Sequence, residues 1–467
     1  MNRRTKIIAT IGPATDNDET IEQLILAGVN VARLNMSHAT HEQATGSVER
    51  IRRISKKLNR HIGILMDTQG PAIRTGNLET DLNLTPGDVV ALTVCGEVSE
   101  EYKSIDVNYD DLVNDIGVDD VVIVDNGNIQ LKVLKKHNKI LDCEVLTEGV
   151  LGSRRHINLP GIRVNLPALT EKDIKDIELG IELDVDIIAM SFVREAKDVL
   201  KLRGILDYKN GKQKIIAKLE DQQGYSNLQE IIDVSDGIMV ARGDLGIELP
   251  FEELPIVQRN IVKQCTLSGT TVIVATHMLE SMIENPAPTR AEVTDVANAV
   301  YEQPDAIMLS GETSVGKYPI RCVEVMDKIA RRTEQSGGVG FFEEAIRDTA
   351  GALMTKAGSQ LSKEIGAKAL VVFTRFGLMA RNAAWCRPLH TPIYAFTKQS
   401  RTARQLQLCW GIETLDFTYN EDANENIKFA AQKILDMGLA DSGDSIVVVT
   451  ELLVRGKTID TIQVEEL

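Results

Sequence analysis

Cysteine is sparse and unpatterned in this chain of 467 residues: Cys95, Cys143, Cys265, Cys322, Cys386 and Cys409 form no CxxC pair and no zinc-type spacing. That excludes a disulfide framework and a cysteine metal site, and fits reduced thiols in a cytoplasmic protein. Long apolar runs are missing too. Arg3, Arg4 and Lys6 open like a signal peptide, but the run after them breaks at Thr10, Gly12 and Pro13, so neither a secretory leader nor a membrane span is expected. Positive charge is in deficit, with 52 Lys and Arg against 68 Asp and Glu and a formal charge of −16. Such a surface steers away nucleic acid and anionic membranes; an anionic substrate must be held by local arginines, lysines or a metal. The seven histidines show no metal-ligand spacing, no Ser/His/Asp order suggests covalent catalysis, and there are no internal repeats or low-complexity tracts.

What is present is an alternation. Short β-rich apolar runs recur after helical-length stretches, at Lys6 to Ile11, Val29 to Leu34, Ile62 to Met66, Ile187 to Ala189, Ile215 to Leu219, Ile238 to Ala241, Thr271 to Ala275 and Ala306 to Leu309, with the first helix starting near Asp18. Eight strands alternating with helices predict an α/β fold, a (β/α)8 TIM barrel; an open doubly wound sheet would have fewer strands and a glycine fingerprint that is absent here. In such barrels chemistry collects at the C-terminal strand ends. Those ends carry Arg33 with Asn35 and Ser37, Asp67 with Thr68, Ser191, Lys218 with Glu220, Asp244, Thr276, and Ser310 with Glu312.

The alternation breaks between Pro71 and Pro167, a stretch of short strands with turn signals at LTPGD and DNGN. It reads as an inserted small β-barrel lid domain, residues 71–167, hinged near Gly70-Pro71 and Pro160 to Pro167, that excludes water during reaction. Residues 1–70 and 168–337 make the catalytic barrel. Gln335 to Gly340, QSGGVG, reads as a linker. Residues 338–467 form a C-terminal α/β domain, mostly parallel, with strands at Ala369 to Phe373, Ile393 to Phe396 and Ser445 to Thr450. It holds no catalytic cluster, so regulation or subunit contact is its expected work.

The densest chemistry lies in Lys214 to Leu249. Residues two apart on a strand share a face, so Lys218 and Glu220 look into one space, and Asp244 emerges at the end of the next strand. Two carboxylates with room for water and substrate oxygens suit Mg2+ or Mn2+, and the lysine would meet substrate charge. An ordinary ion pair at a strand end is the plainer alternative for Lys218 and Glu220. Gly311 to Lys317 nearly spells a phosphate-binding P-loop, but Tyr318 stands where the metal-holding hydroxyl belongs and Glu312 would oppose phosphate.

The runs TKIIATIGPAT, NVARLNMSHA, LMDTQGPAIRTG, IIAKLEDQQG, SDGIMVARGDLG, ATHMLESMIENPAPTRAEVTDVANAV and DAIMLSGETSVGKYP, taken in order, resemble the pyruvate kinase family over essentially the whole chain. The resemblance implies transfer of phosphate from phosphoenolpyruvate to ADP, giving ATP and pyruvate in a homotetramer. It places the divalent-metal ligands on Glu220 and Asp244, and the lysine that stabilises transfer on Lys218. Arg33 falls on the substrate-phosphate contact, and Arg74, with His38 and Arg155, on the nucleotide site. Gly243, Asp244 and Thr276 fall on the substrate carboxylate site with Ser310 and Glu312 beside it, and Thr276 also on the proton path to the enolate. A potassium site maps onto Asn35, Ser37, Asp67 and Thr68. A lyase or aldolase on a related barrel, or a non-catalytic paralogue, are the alternatives; the intact Lys218, Glu220, Asp244, Arg33 and Arg74 speak against the second.

The departures from the family carry their own expectations. Gln69 and Ala72 stand where many relatives have lysine and glutamate, and the glutamate goes with dependence on a monovalent cation, so K+ is expected but its requirement is left open. His277 replaces a usual glutamine, and Arg155 stands for a lid lysine and keeps its charge. In the third domain Thr374 to Met379 replaces the polar loop that cradles a sugar phosphate, and Glu451 to Asp460 lacks the glycine-rich closing loop. Apolar side chains do not offset a phosphate's lost hydration, so fructose 1,6-bisphosphate is not expected to activate through that site.

Overall fold

The computed structural model describes residues 3–420, 422–454 and 457–467. Its centre is a closed barrel of eight strands: β1 Lys6–Ile11, β2 Val31–Asn35, β3 Gly63–Asp67, β4 Ile187–Met190, β5 Lys214–Leu219, β6 Gly237–Ala241, β7 Thr271–Ala275 and β8 Ala306–Leu309. Each pairs in parallel with the next, and β8 closes on β1 with Ala306 opposite Lys6. Both faces of every strand are buried, which is why the strands read as unbroken apolar runs. Ile8, Val31, Leu65, Ile187, Ile216, Met239 and Ile273 fill the barrel interior. Their neighbours Ile7, Ile64, Ile188, Ile215, Ile238 and Val272 point outward against the helices. The first helix does start at Asp18, with Asn17 accepting from the Thr20 amide. Helices at His41–Lys57, Glu171–Glu182 and Arg290–Tyr301 each open on a capping box whose threonine and third residue satisfy each other's amides.

The segment between β3 and the Glu171–Glu182 helix builds a six-stranded sheet and a separate two-stranded one around its own aliphatic core. The third domain is a five-stranded sheet: β9 Ala369–Phe373, β10 Ile393–Thr397, β11 Ile412–Asp416, β12 Ser445–Val454 and β13 Lys457–Glu466, in the order β11-β10-β9-β12-β13. Only β13 runs antiparallel. The strands β11 and β13 escaped the sequence reading because edge strands carry mixed polar residues rather than an apolar run. The stretch Glu451 to Asp460 contains the β12–β13 connection, of which Arg455 and Gly456 lie outside the described residues.

The segment 335–340, expected as a linker, is tied to the barrel. The Val339 amide donates to the Tyr301 carbonyl at 3.0 Å and the Gly340 amide to Gln303 Oε1 at 2.9 Å. The domain beyond it is clamped to the barrel floor. Arg387 forks onto buried Asp305 at 3.0 and 2.9 Å, Arg404 reaches Asp184 and Asp186 at 2.7 Å, and Trp385 Nε1 donates to the Thr266 carbonyl at 2.6 Å. Leu408 belongs to the same apolar cluster as the barrel interior.

Candidate functional site

At the C-terminal rim, β2, β3 and β5 bring a buried charge cluster together. Lys218 Nζ donates to Ser191 Oγ at 2.7 Å, Glu220 Oε1 at 2.9 Å and Asp67 Oδ1 at 3.1 Å, so all three ammonium hydrogens are engaged. Arg33 binds Asp67 Oδ2 through both Nε and Nη2 at 2.7 Å. The two carboxylates therefore fare differently. Asp67 is buried, yet Lys218 and Arg33 together hold its carboxyl below the usual carboxylate range. Glu220 has only a share of Lys218 and faces Asp244, so burial and the like charge push its carboxyl up. Burial works against the Lys218 ammonium, but Asp67 and Glu220 outweigh it and raise its pKa, which keeps it charged.

The loops after the strands are shaped by backbone that few side chains tolerate. Thr276 and His277 both take left-handed conformations, φ 68° and 53°, unusual for a β-branched residue. The guanidinium of Arg242 holds this turn: its Nη2 donates to the carbonyls of Thr276 at 2.7 Å and His277 at 3.2 Å, while Asp295 anchors it at 2.8 Å. Thr276 Oγ1 then accepts from the Gly243 amide at 2.7 Å. Phe192, at φ 53°, donates its amide to Glu220 Oε2 at 2.6 Å. The part of Arg242 in holding the turn has no local signal in the sequence, because Thr276, His277 and Asp295 reach it only in the fold.

Other expected residues sit differently. Glu312 is fully buried and gives both oxygens to backbone amides, of Leu279 at 3.0 Å and Ser310 at 2.7 Å, so it fixes the loop and offers no oxygen to a substrate. Ser310 Oγ is buried without a partner and remains free to act. The Gly243 amide, expected to receive a substrate carboxylate, is occupied by Thr276. Of the four residues of the expected potassium site, Asp67 is neutralised by two cations, Asn35 Oδ1 accepts from the Ser37 amide at 3.1 Å, and Thr68 Oγ1 accepts from the Ser191 amide at 3.2 Å. They lie at adjacent strand ends, and side-chain oxygens of Asn35, Asp67 and Thr68 are already engaged by internal donors. His38 and His277 are exposed.

The inserted domain leans over this rim. Arg74 pairs in the backbone with His156, and its Nη1 donates to the Arg154 carbonyl at 3.2 Å. Arg155 is exposed and pairs with Asp125 at 3.3 Å. His156, which the strand-end rule cannot find because it lies on the insert, brings Nδ1 to 3.7 Å from Asp244 and stacks at a tilt on Phe192. Burial holds its pKa below the ordinary histidine value. A cavity of about 580 Å3 between insert and barrel reaches Glu220, and across it Asn158 Nδ2 donates to Glu248 Oε1 at 3.0 Å.

Glu220 and Asp244 form a like-charged pair, Glu220 buried and Asp244 at 34% exposure, and no third His, Cys, Asp or Glu completes a metal cage among the described residues. That donor set fits a hard divalent cation keeping water and substrate oxygens in its remaining positions. With an ammonium and an arginine beside it, the rim has the parts that phosphoryl transfer requires: positioning and charge neutralisation with no covalent nucleophile. The fold and site thus define a barrel phosphotransferase.

The family model for the pyruvate kinase barrel domain matches residues 2–323, and that for the pyruvate kinase alpha/beta domain residues 352–465. Over 453 residues the chain is 40% identical to the pyruvate kinases of Staphylococcus aureus strains MRSA252 and USA300, covering 96% of this chain and 77% of each relative. The chain belongs to the pyruvate kinase family. The lyase and non-catalytic alternatives are not favoured. No helix among the described residues is long and apolar enough to cross a membrane.

Proposed function

We propose that this chain carries out the family's reaction, transfer of the phosphoryl group of phosphoenolpyruvate to ADP to give ATP and pyruvate, with the strand-end cluster as its site. The observation that carries the assignment is Lys218: a buried ammonium kept charged between Asp67, Glu220 and Ser191 at the rim. Glu220 and Asp244 would hold Mg2+ or Mn2+, which when bound supplies positive charge to the phosphoryl oxygens. Lys218, whose hydrogens are shared among Ser191, Glu220 and Asp67, can turn one toward the transferring group and stabilise its charge as it moves. Arg33 presents its planar fork to substrate phosphate, and Arg74, Arg155 and His38 face the nucleotide. The substrate carboxylate is received at Gly243, Asp244 and Thr276, the Gly243 amide turning from Thr276 Oγ1 and the Thr276 hydroxyl turning its hydrogen from the Ala275 carbonyl, and Ser310 Oγ offers a further hydroxyl. Thr276 also lies where the enolate must be protonated. Asn35, Ser37, Asp67 and Thr68 are the candidates for K+.

The chain divides, on this reading, into a catalytic barrel of 1–70 and 168–337, a lid of 71–167 that closes over the site, and a domain of 338–467 for regulation or assembly of a homotetramer in the cytoplasm. The experiment is pyruvate formation from phosphoenolpyruvate and ADP with Mg2+, in matched buffers containing K+ or only tetramethylammonium. Activity confined to K+ supports the cation site despite Ala72. Equal activity in both leaves the kinase standing and makes those four residues scaffolding. No activity in either, with Mg2+ binding demonstrated, refutes the assignment.

A further inference from the structure

A second cleft, of about 290 Å3, lies at the opposite end of the barrel, where the third domain meets its floor. Lys214, Ser235 and Asp236 stand on the barrel side; Phe376, Leu378, Arg381 and Trp385 stand on the other. A narrow recess continues past Arg381 and Trp385 to Thr266, Asp305 and Arg387. Both carboxylates in these walls are already satisfied. Asp236 takes Lys214 at 2.8 Å, Arg203 at 2.5 Å and the Ile215 amide at 3.0 Å. Asp305 takes the Arg387 fork and the amides of Val272 and Trp410.

What is left over is donors. Arg381 forms no side-chain hydrogen bond or ion pair among the described residues, although its Nη1 lies close to Gly377. Thr266 Oγ1, on a residue 3% exposed, is buried without a partner, as are Ser235 Oγ and Arg387 Nε. Orphaned buried polar atoms are rare in folded proteins, and here Ser235 borders the cleft while Thr266 and Arg387 border the recess beside it. In a chain of net charge −16, the cleft carries Lys214 and Arg381 against the one aspartate, Asp236, which Arg203 also pairs from outside it. Its mouth is apolar: Phe376 and Leu378 are 68% and 62% exposed.

We propose that this cleft binds a small organic anion, one carboxylate or phosphate group on an apolar body, with the anionic head on Arg381 and the body against Phe376, Leu378 and Trp385. The volume sits at the lower end of the range of ligand pockets, roughly 300 to 1,000 Å3, and takes a body of about one ring. A ligand there touches both the barrel floor and the third domain.

The test is a titration of the whole protein with phenylacetate, with phenyl phosphate and with neutral phenylacetamide, read by tryptophan fluorescence. Trp385 lines the cleft and Trp410 is the other tryptophan of the chain. Saturable binding of the anions in the millimolar range or tighter is expected, with the amide at least tenfold weaker. The tighter of the two anions identifies the head group. Arg381→Gln should weaken binding about tenfold or more while leaving thermal stability and basal phosphotransferase activity unchanged, since Arg381 has no partner to lose. Leu378→Asp, at an exposed position, should weaken it as well. Absence of saturable binding, equal binding of phenylacetamide, or full binding by Arg381→Gln would each overturn the proposal.

Discussion

Glu248 offers the sharpest test of how the insert is joined to the barrel. Its carboxyl is pushed up from the usual 4.5 to about 7, first by burial and further by Asp221 and Asp244, against the Asn158 side chain and the Leu159 amide. Asn158 donates its Nδ2 to one Glu248 oxygen, while Asn158 Oδ1 is buried with no partner. A protonated carboxyl has a hydrogen for that oxygen; a carboxylate has none. Because the folded pKa lies above the unfolded one, the stabilisation is fully present below about pH 4.5 and is lost as pH rises through about 7. The rise from 4.5 to about 7 corresponds to about 3 kcal/mol. Glu248→Gln keeps the shape and supplies a permanent donor, so it should stabilise the protein at pH 8 and have little effect at pH 5. With an unfolding entropy near 2.1 cal/mol/K per residue, the gain at pH 8 is on the order of 3 °C if the whole chain unfolds together. Thermal unfolding of both proteins across pH 5 to 8, without divalent metal, measures it. Parallel pH profiles for parent and variant would refute the reasoning. Glu220 also titrates upward, but it is common to both proteins and cancels in the comparison.

Other expectations follow from the same geometry. Lys218→Met should lower turnover by roughly 10² to 10³ with little change in metal binding, as loss of one preorganised charge-stabilising group does; steady-state kinetics beside a Mn2+ titration checks this, and a variant as fast as the parent removes Lys218 from the mechanism. Arg387→Ala strands Asp305, 4% exposed, without a counter-charge beneath the third domain, and should cost about 3 to 5 kcal/mol in denaturant unfolding. Fructose 1,6-bisphosphate should leave the affinity for phosphoenolpyruvate unchanged, because Thr374 Oγ1 is already used to accept the Gly377 amide at 2.9 Å and Phe376 and Leu378 offer no donors. A clear rise in affinity on its addition would contradict that reading.

Much of the architecture was legible along the chain. Each barrel strand is a local apolar run, and a strand buried on both faces needs no distant partner to announce itself, so Lys6 to Ile11, Thr271 to Ala275 and Ala306 to Leu309 match the observed strands end to end. Edge strands such as Ile412–Asp416 meet solvent and lose that signature. Gln335 to Gly340 has the composition of a flexible connector, and only the neighbouring Tyr301 and Gln303 show why it is held.

The sequence alone determined that Lys218 and Glu220 share a face and that Asp244 follows just beyond the end of the next strand, because pleat and chain order are local properties; that it sits there in the first turn of a helix, Arg242–Glu248, is seen only in the fold. Tertiary structure decided how the charges are divided. The parallel register sets Asp67 between Lys218 and Arg33, leaves Glu220 opposed to Asp244, and turns Glu312 away onto backbone amides. It also brings His156 and Asn158 down from the insert onto Asp244 and Glu248. Electrostatic and hydrogen-bond energies depend on distance and burial, and for residues far apart along the chain both come into being only when the barrel closes and the insert folds over it.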